Sequence, residues 1–92
     1  MSIQLPFEVK AGSKVHILVD ECKLHSGGAS YITVTNASNV SMPGSSNDNV
    51  VFKNKEYVAT INSDIASGSY MEIGVYYFYT YGNISKIWIT EN

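Results

Sequence analysis

Apolar and polar positions alternate most densely in the last quarter of the chain, Ser69 to Thr90, which reads SYMEIGVYYFYTYGNISKIWIT. Two runs of β-branched and aromatic residues flank Tyr81-Gly82-Asn83. Strand formers on both sides of a Gly/Asn pair predict a β-hairpin. On its first arm Met71, Ile73, Val75, Tyr77 and Tyr79 share one face, and Tyr70, Glu72, Gly74, Tyr76, Phe78 and Thr80 share the other. On its second arm Ser85, Ile87 and Ile89 oppose Ile84, Lys86, Trp88 and Thr90. Met71, Ile73 and Val75, with Ile87 and Ile89, form the face expected in the core. The opposite face mixes Glu72, Lys86 and Thr90 with Tyr76, Phe78 and Trp88, an amphipathic aromatic surface half suited to water.

Upstream, Leu5, Phe7 and Val9 alternate with Pro6, Glu8 and Lys10, a period of two that predicts a half-buried strand. Pro6 lacks an N–H and places that strand at a sheet edge or at its own beginning. After the turn Ala11 to Lys14, the alternation resumes at Val15, Ile17 and Val19, and it runs weakly through Cys22 and Leu24 to a Ser26-Gly27-Gly28-Ala29 loop. Tyr31 to Thr35 predicts a short strand with Ile32 and Val34 on one face. Asn36 to Asn49 has no period and carries Pro43-Gly44 as a turn signal. Val50 to Phe52 and Tyr57 to Ile61 predict two short strands joined at Lys53-Asn54-Lys55-Glu56, and Ser63 to Gly68 is a further turn. No segment repeats apolar residues at i, i+3, i+4 and i+7 over three turns. The expectation is a single all-β domain over residues 1–92, an antiparallel β-sandwich of about seven strands with jelly-roll or immunoglobulin-like connectivity, a small open barrel being the alternative.

Composition narrows the function classes. Of the 92 residues 45% are hydrophobic and 15% charged, which fits a globular chain. The net charge is −2, and all six basic residues are lysines. Arginine is the preferred fork for phosphate and for guanine edges, so its absence in an acidic chain argues against nucleic acid as a partner. The N-terminal MSIQLPFEVK has neither a basic start nor an apolar stretch, and no apolar run reaches the roughly 20 residues of a membrane helix. A soluble protein without a signal peptide is expected, with no membrane partner. The matches to the glycosylation sequon at Asn36, Asn39 and Asn83 are then incidental.

Candidate chemistry is sparse. His16, Cys22 and His25 offer a Cys-x-x-His spacing, but a structural zinc needs four ligands and no second pair is present. The lone Cys22 reads as a small buried hydrophobe. The same residues lack the orienting group and oxyanion site of a nucleophilic enzyme. Asp48, within Asn47-Asp48-Asn49, contributes a single carboxylate in a polar loop, which reads as a solvated turn more readily than as a calcium ligand. No spacing brings Glu56 and Glu72 together. No catalytic residue, metal or cofactor is therefore expected. The binding candidates are Tyr70, Tyr76, Phe78 and Trp88 on the aromatic face, with Asn47, Asp48 and Asn49 in the loop. Such a face can pack in the core, anchor a protein partner, or stack on sugar rings.

The layout of Pro6-Phe7-x-Val9-x-Ala11-Gly12 leading into a Val/Ile strand, closed by the aromatic segment with Trp88, resembles small jelly-roll modules. Such modules serve as carbohydrate-binding domains and as decoration or fibre domains of bacteriophage virions. The resemblance implies a non-catalytic structural or binding module, a virion-type decoration or assembly protein working through protein–protein contacts or self-association, at a virion surface. A lectin-like glycan-binding module is the alternative. No site residue carries over from it.

Overall fold

Val15, Ile17 and Val19 are sealed from solvent, whereas Lys14, His16, Leu18 and Asp20 between them are not. The longest alternation of the first half is therefore a strand with one wet face. It is the second of seven strands in the computed structural model, which describes residues 1–24, 30–42, 52–76 and 79–91, residues 22–24 and 79–82 by their backbone alone. The strands are β1 (Ser2–Gln4), β2 (Lys14–Leu24), β3 (Tyr31–Val34), β4 (Val40–Ser41), β5 (Phe52–Thr60), β6 (Tyr70–Tyr76) and β7 (Tyr79–Thr90). No helix occurs among the described residues.

The strands form two antiparallel sheets, ordered β1-β6-β3-β4 and β5-β2-β7. Ile32, Val34, Met71 and Ile73 of the first sheet meet Val15, Ile17, Tyr57 and Ala59 of the second in one buried cluster, and Ile87 and Ile89 pack against it partly buried. The fold is thus an all-β antiparallel sandwich. Its four-plus-three division has the strand count of immunoglobulin constant domains but different neighbours: the first and last strands exchange sheets, β1 lying beside β6 and β7 beside β2, and β4 lies beside β3 instead of β5.

That exchange corrects the predicted hairpin. Gly82 and Asn83 do not reverse the chain; they sit inside β7 opposite Cys22 and Glu21. A Gly/Asn pair permits a turn without compelling one, and pairing along the whole of β2 outweighs the local preference. The two runs expected as arms of one hairpin, β6 and β7, lie in different sheets.

Three further expectations change. Leu5 and Val9 are buried, but Phe7 is 47% exposed. The chain bends at Pro6-Phe7, so the stretch docks through single contacts instead of a ladder. Leu5 N donates to Ser69 O at 2.9 Å, and Val9 and Ile65 exchange N–H···O bonds of 2.9 and 2.8 Å. Lys53 to Glu56, expected as a turn, continues β5 in unbroken register with β2. It is polar because β5 is an edge strand with most of its length exposed, and Lys53 meets Glu21 at 3.7 Å across the pair. Asn54 takes a left-handed φ of 49°, which asparagine tolerates. Finally, the aperiodic Asn36–Asn49 stretch contains β4 and the Ala37–Ile61 bridge; its residues 43–49 lie outside the described set.

Between the sheets at the Lys10 corner, Gly12 supplies a φ of 93°. The Lys10 ammonium lies 3.0 Å from Glu8 and 3.9 Å from Asp64. The hydrogen bond and charge of Glu8, with Asp64 behind them, hold its pKa above the ordinary lysine value. A raised lysine pKa favours the folded state at every pH below the ordinary value, and that contribution fades as the solution becomes alkaline beyond it.

Candidate functional site

On the outer face of the three-stranded sheet, the register stacks side chains in rows: Thr60, Lys14 and Thr90; Val58, His16 and Trp88; Glu56, Leu18 and Lys86. The His16 and Trp88 rings lie parallel, 4.9 Å between centroids and 5° apart. His16 Nε2 is 2.8 Å from Thr90 Oγ1, and Nδ1 is 3.4 Å from Glu56 Oε2. The Lys86 ammonium stands 5.1 Å from the Trp88 ring centroid. Trp88 is therefore already engaged by an imidazole and a cation, which holds its ring upright on the sheet.

The outer face of the four-stranded sheet carries Tyr70 and Tyr76, 59% and 54% exposed. Tyr76 stacks on Tyr31 across the β3–β6 pair at 5.2 Å and 18°. The Tyr76 ring leans over Gly74, where no side chain stands in its way. Farther along the same strand, Ser2 Oγ donates to Glu72, and Thr35 Oγ1 accepts from Glu72 N at 2.9 Å.

Tyr70 and Tyr76 thus sit on one outer face of the sandwich and Trp88 on the other. Sequence patterning placed them together because it took β6 and β7 for one hairpin; the crossover between sheets separates them. Phe78, Asn47, Asp48, Asn49 and His25 lie outside the described residues, as does the Cys22 side chain. Glu56 and Glu72 fall on different sheets. Among the described residues no three His, Cys, Asp or Glu side chains converge on a point that could hold a metal.

A feature absent from the sequence reading lies at the side of the sandwich where β1 and β7 are the two edge strands. There the sheets part around a cleft of about 200 Å³, lined by Ile3, Leu5, Phe7, Ile87, Trp88 and Ile89 among others. Leu5 is buried and Phe7 half-exposed along this lining, and Trp88 also borders the cleft. Beside it runs β7, whose far edge pairs with no strand among the described residues. The β1 edge is three residues long, so it shields little of the opening. Pro6 was the available signal: a residue that cannot join a ladder turns Phe7 out of the alternation.

No helix among the described residues is long and apolar enough to cross a membrane. No protein-family model matches the chain, and no curated protein or solved structure is detectably similar to it.

Proposed function

We propose that this chain is a non-catalytic structural or binding module that works through protein–protein contacts, of the kind that decorates or assembles virion-type particles. The observation that carries the reading is the open side: a twelve-residue edge strand runs next to an apolar cleft flanked by Phe7 and Trp88. Free backbone donors and acceptors along an edge recruit a further strand, and an adjoining apolar cleft takes its side chains. The opposite edge, β5, is blunted by Lys53, Lys55 and Glu56, whereas β7 carries the single charge of Lys86.

A photo-crosslinking residue placed at Phe7 tests the reading in extract of the source cells. Discrete protein adducts are expected from Phe7 and not from Thr60 on the opposite edge. Equal labelling at both positions, or none, would remove it.

One observation favours a second reading. The stacked Tyr31–Tyr76 pair, with Tyr76 54% exposed and Thr33 in the neighbouring row of the same face, offers a flat ring surface with a hydroxyl nearby of the sort that holds a sugar. A glycan array at millimolar sugar, with Tyr76→Ala as the control, decides it: the lectin-like reading requires a signal that this change abolishes.

A further inference from the structure

The part of β7 that pairs regularly with β2 before the register shifts is Lys86 to Thr90, with the sequence Lys-Ile-Trp-Ile-Thr. It is close to a palindrome centred on Trp88. We propose that the occupant of the β7 edge is a second copy of this chain, paired antiparallel about a two-fold axis through Trp88, so that two three-stranded sheets become one of six. The proposal deepens the module reading above and rests on it.

The register follows from the residues. An antiparallel pair continues a sheet without exchanging its faces only when residues of like parity stand opposite each other. A two-fold axis at Trp88 satisfies that rule and overlays both regular segments completely. Ile87 then faces Ile89 of the partner subunit twice over, on the core side. The two Trp88 rings meet on the outer side, between the two His16 rings already stacked on them. Aromatic and β-branched residues directly opposite each other are the favourable cross-strand pairs. Moving the axis to Ile87 brings in the irregularity near Ile84 and Ser85, and moving it to Ile89 runs past the strand end at Thr90, so either shift loses part of the overlap.

Charge agrees with this register. Each Lys86 stands opposite the partner's Thr90, next to the partner's Glu91, which lies just past the end of its strand. The two Lys86 residues are four positions apart along the paired strands, roughly 14 Å, so no like charges face each other. The same axis brings the open sides of the two sandwiches together, where the exposed Phe7 of each molecule can cover the other's cleft. An interface of strand edge alone would be small; the clefts bring it toward the area a stable dimer needs. Isologous two-fold contacts of this kind are the commonest way for a chain to close on itself.

Trp88 is the only tryptophan, so its fluorescence reports on the axis itself. Light scattering and Trp88 emission are followed together over a dilution series from about 1 mM downward. The expected result is a dimer mass that falls to the monomer mass on dilution, with a red shift of the emission over the same range. Trp88→Lys, which sets two ammonium groups face to face on the axis, is expected to leave a monomer. If that variant does not fold, a charge exchange keeps the test open. Lys86→Glu is expected to weaken the dimer up to roughly tenfold, since it sets a carboxylate near the partner's Glu91 at two symmetric positions at once, and adding Glu91→Lys is expected to restore it. A protein that is monomeric throughout, a trimer or ring, or a dimer indifferent to both charge variants would overturn the two-fold pairing. A monomer that still gives protein adducts at Phe7 would overturn the pairing alone and leave the module reading standing.

Discussion

A β-carbon added at Gly74 would stand 2.7 Å from Thr33 Oγ1 and 2.9 Å from the Tyr76 ring. Glycine in a strand interior normally costs about 0.5–1 kcal/mol relative to alanine, so Gly74→Ala would stabilise an uncrowded site. Here the overlap outweighs that gain, and a net loss of about 1 kcal/mol is expected. The loss should shrink in a Tyr76→Ala background, because one of the two crowding groups is gone; a chemical-denaturation double-mutant cycle reads the coupling. A stabilised single variant would mean that the Tyr76 ring does not lie over Gly74. Ser13 offers the converse case. It is buried, and its hydroxyl has no hydrogen-bond partner among the described residues. An unsatisfied hydroxyl in a dry site costs free energy, so Ser13→Ala is expected to hold stability level or raise it by up to about 1 kcal/mol. A clear loss in the same assay would reveal an acceptor or an ordered water at that position. In the core, Ile73 is 3% exposed, and Ile73→Ala is expected to cost about 2–4 kcal/mol through lost burial and the cavity left behind.

Among the elements, those whose apolar period met a buried face were legible in the sequence. Ile32 and Val34 mark β3, Val15, Ile17 and Val19 mark β2, and Met71 and Ile73 mark β6, each with its alternate positions outward. What patterning could not supply was pairing. Nothing local in Tyr79 to Thr90 says that its partner is β2, some sixty residues earlier in the chain, so the Gly82-Asn83 signal read as a reversal. The candidate aromatic face failed with it, because its grouping depended on that reversal. Lys53 to Glu56 misled for a different reason: an edge strand with both faces wet has the composition of a turn. Asn54, in the middle of that strand, is the element's weak point. Its left-handed backbone disfavours any residue with a β-carbon that cannot bond locally. Asn54→Ala is expected to cost about 1 kcal/mol, and Asn54→Gly to be nearly neutral. Equal shifts of the denaturant midpoint for both, at constant slope, would show that the side chain and not the backbone matters there.

At the scale of the whole molecule, β3 and β4 are the only described strands that pair with a near neighbour in sequence. Every other pairing closes a long loop before any contact rewards it. Folding in milliseconds to seconds is therefore expected, at the slow end for a chain this size. Stopped-flow Trp88 fluorescence measures it, and a microsecond phase carrying the full amplitude would contradict the assigned pairing. The interleaving also bears on biosynthesis. A chain made from its N-terminus holds β1, β2 and β3 long before β6 and β7 exist, and each sheet waits for one of those two late strands. Until β6 and β7 emerge, β1 has no partner and β2 and β3 each lack one of their two neighbours, so it is in that interval, more than in the finished fold, that unpaired apolar strands are open to aggregation.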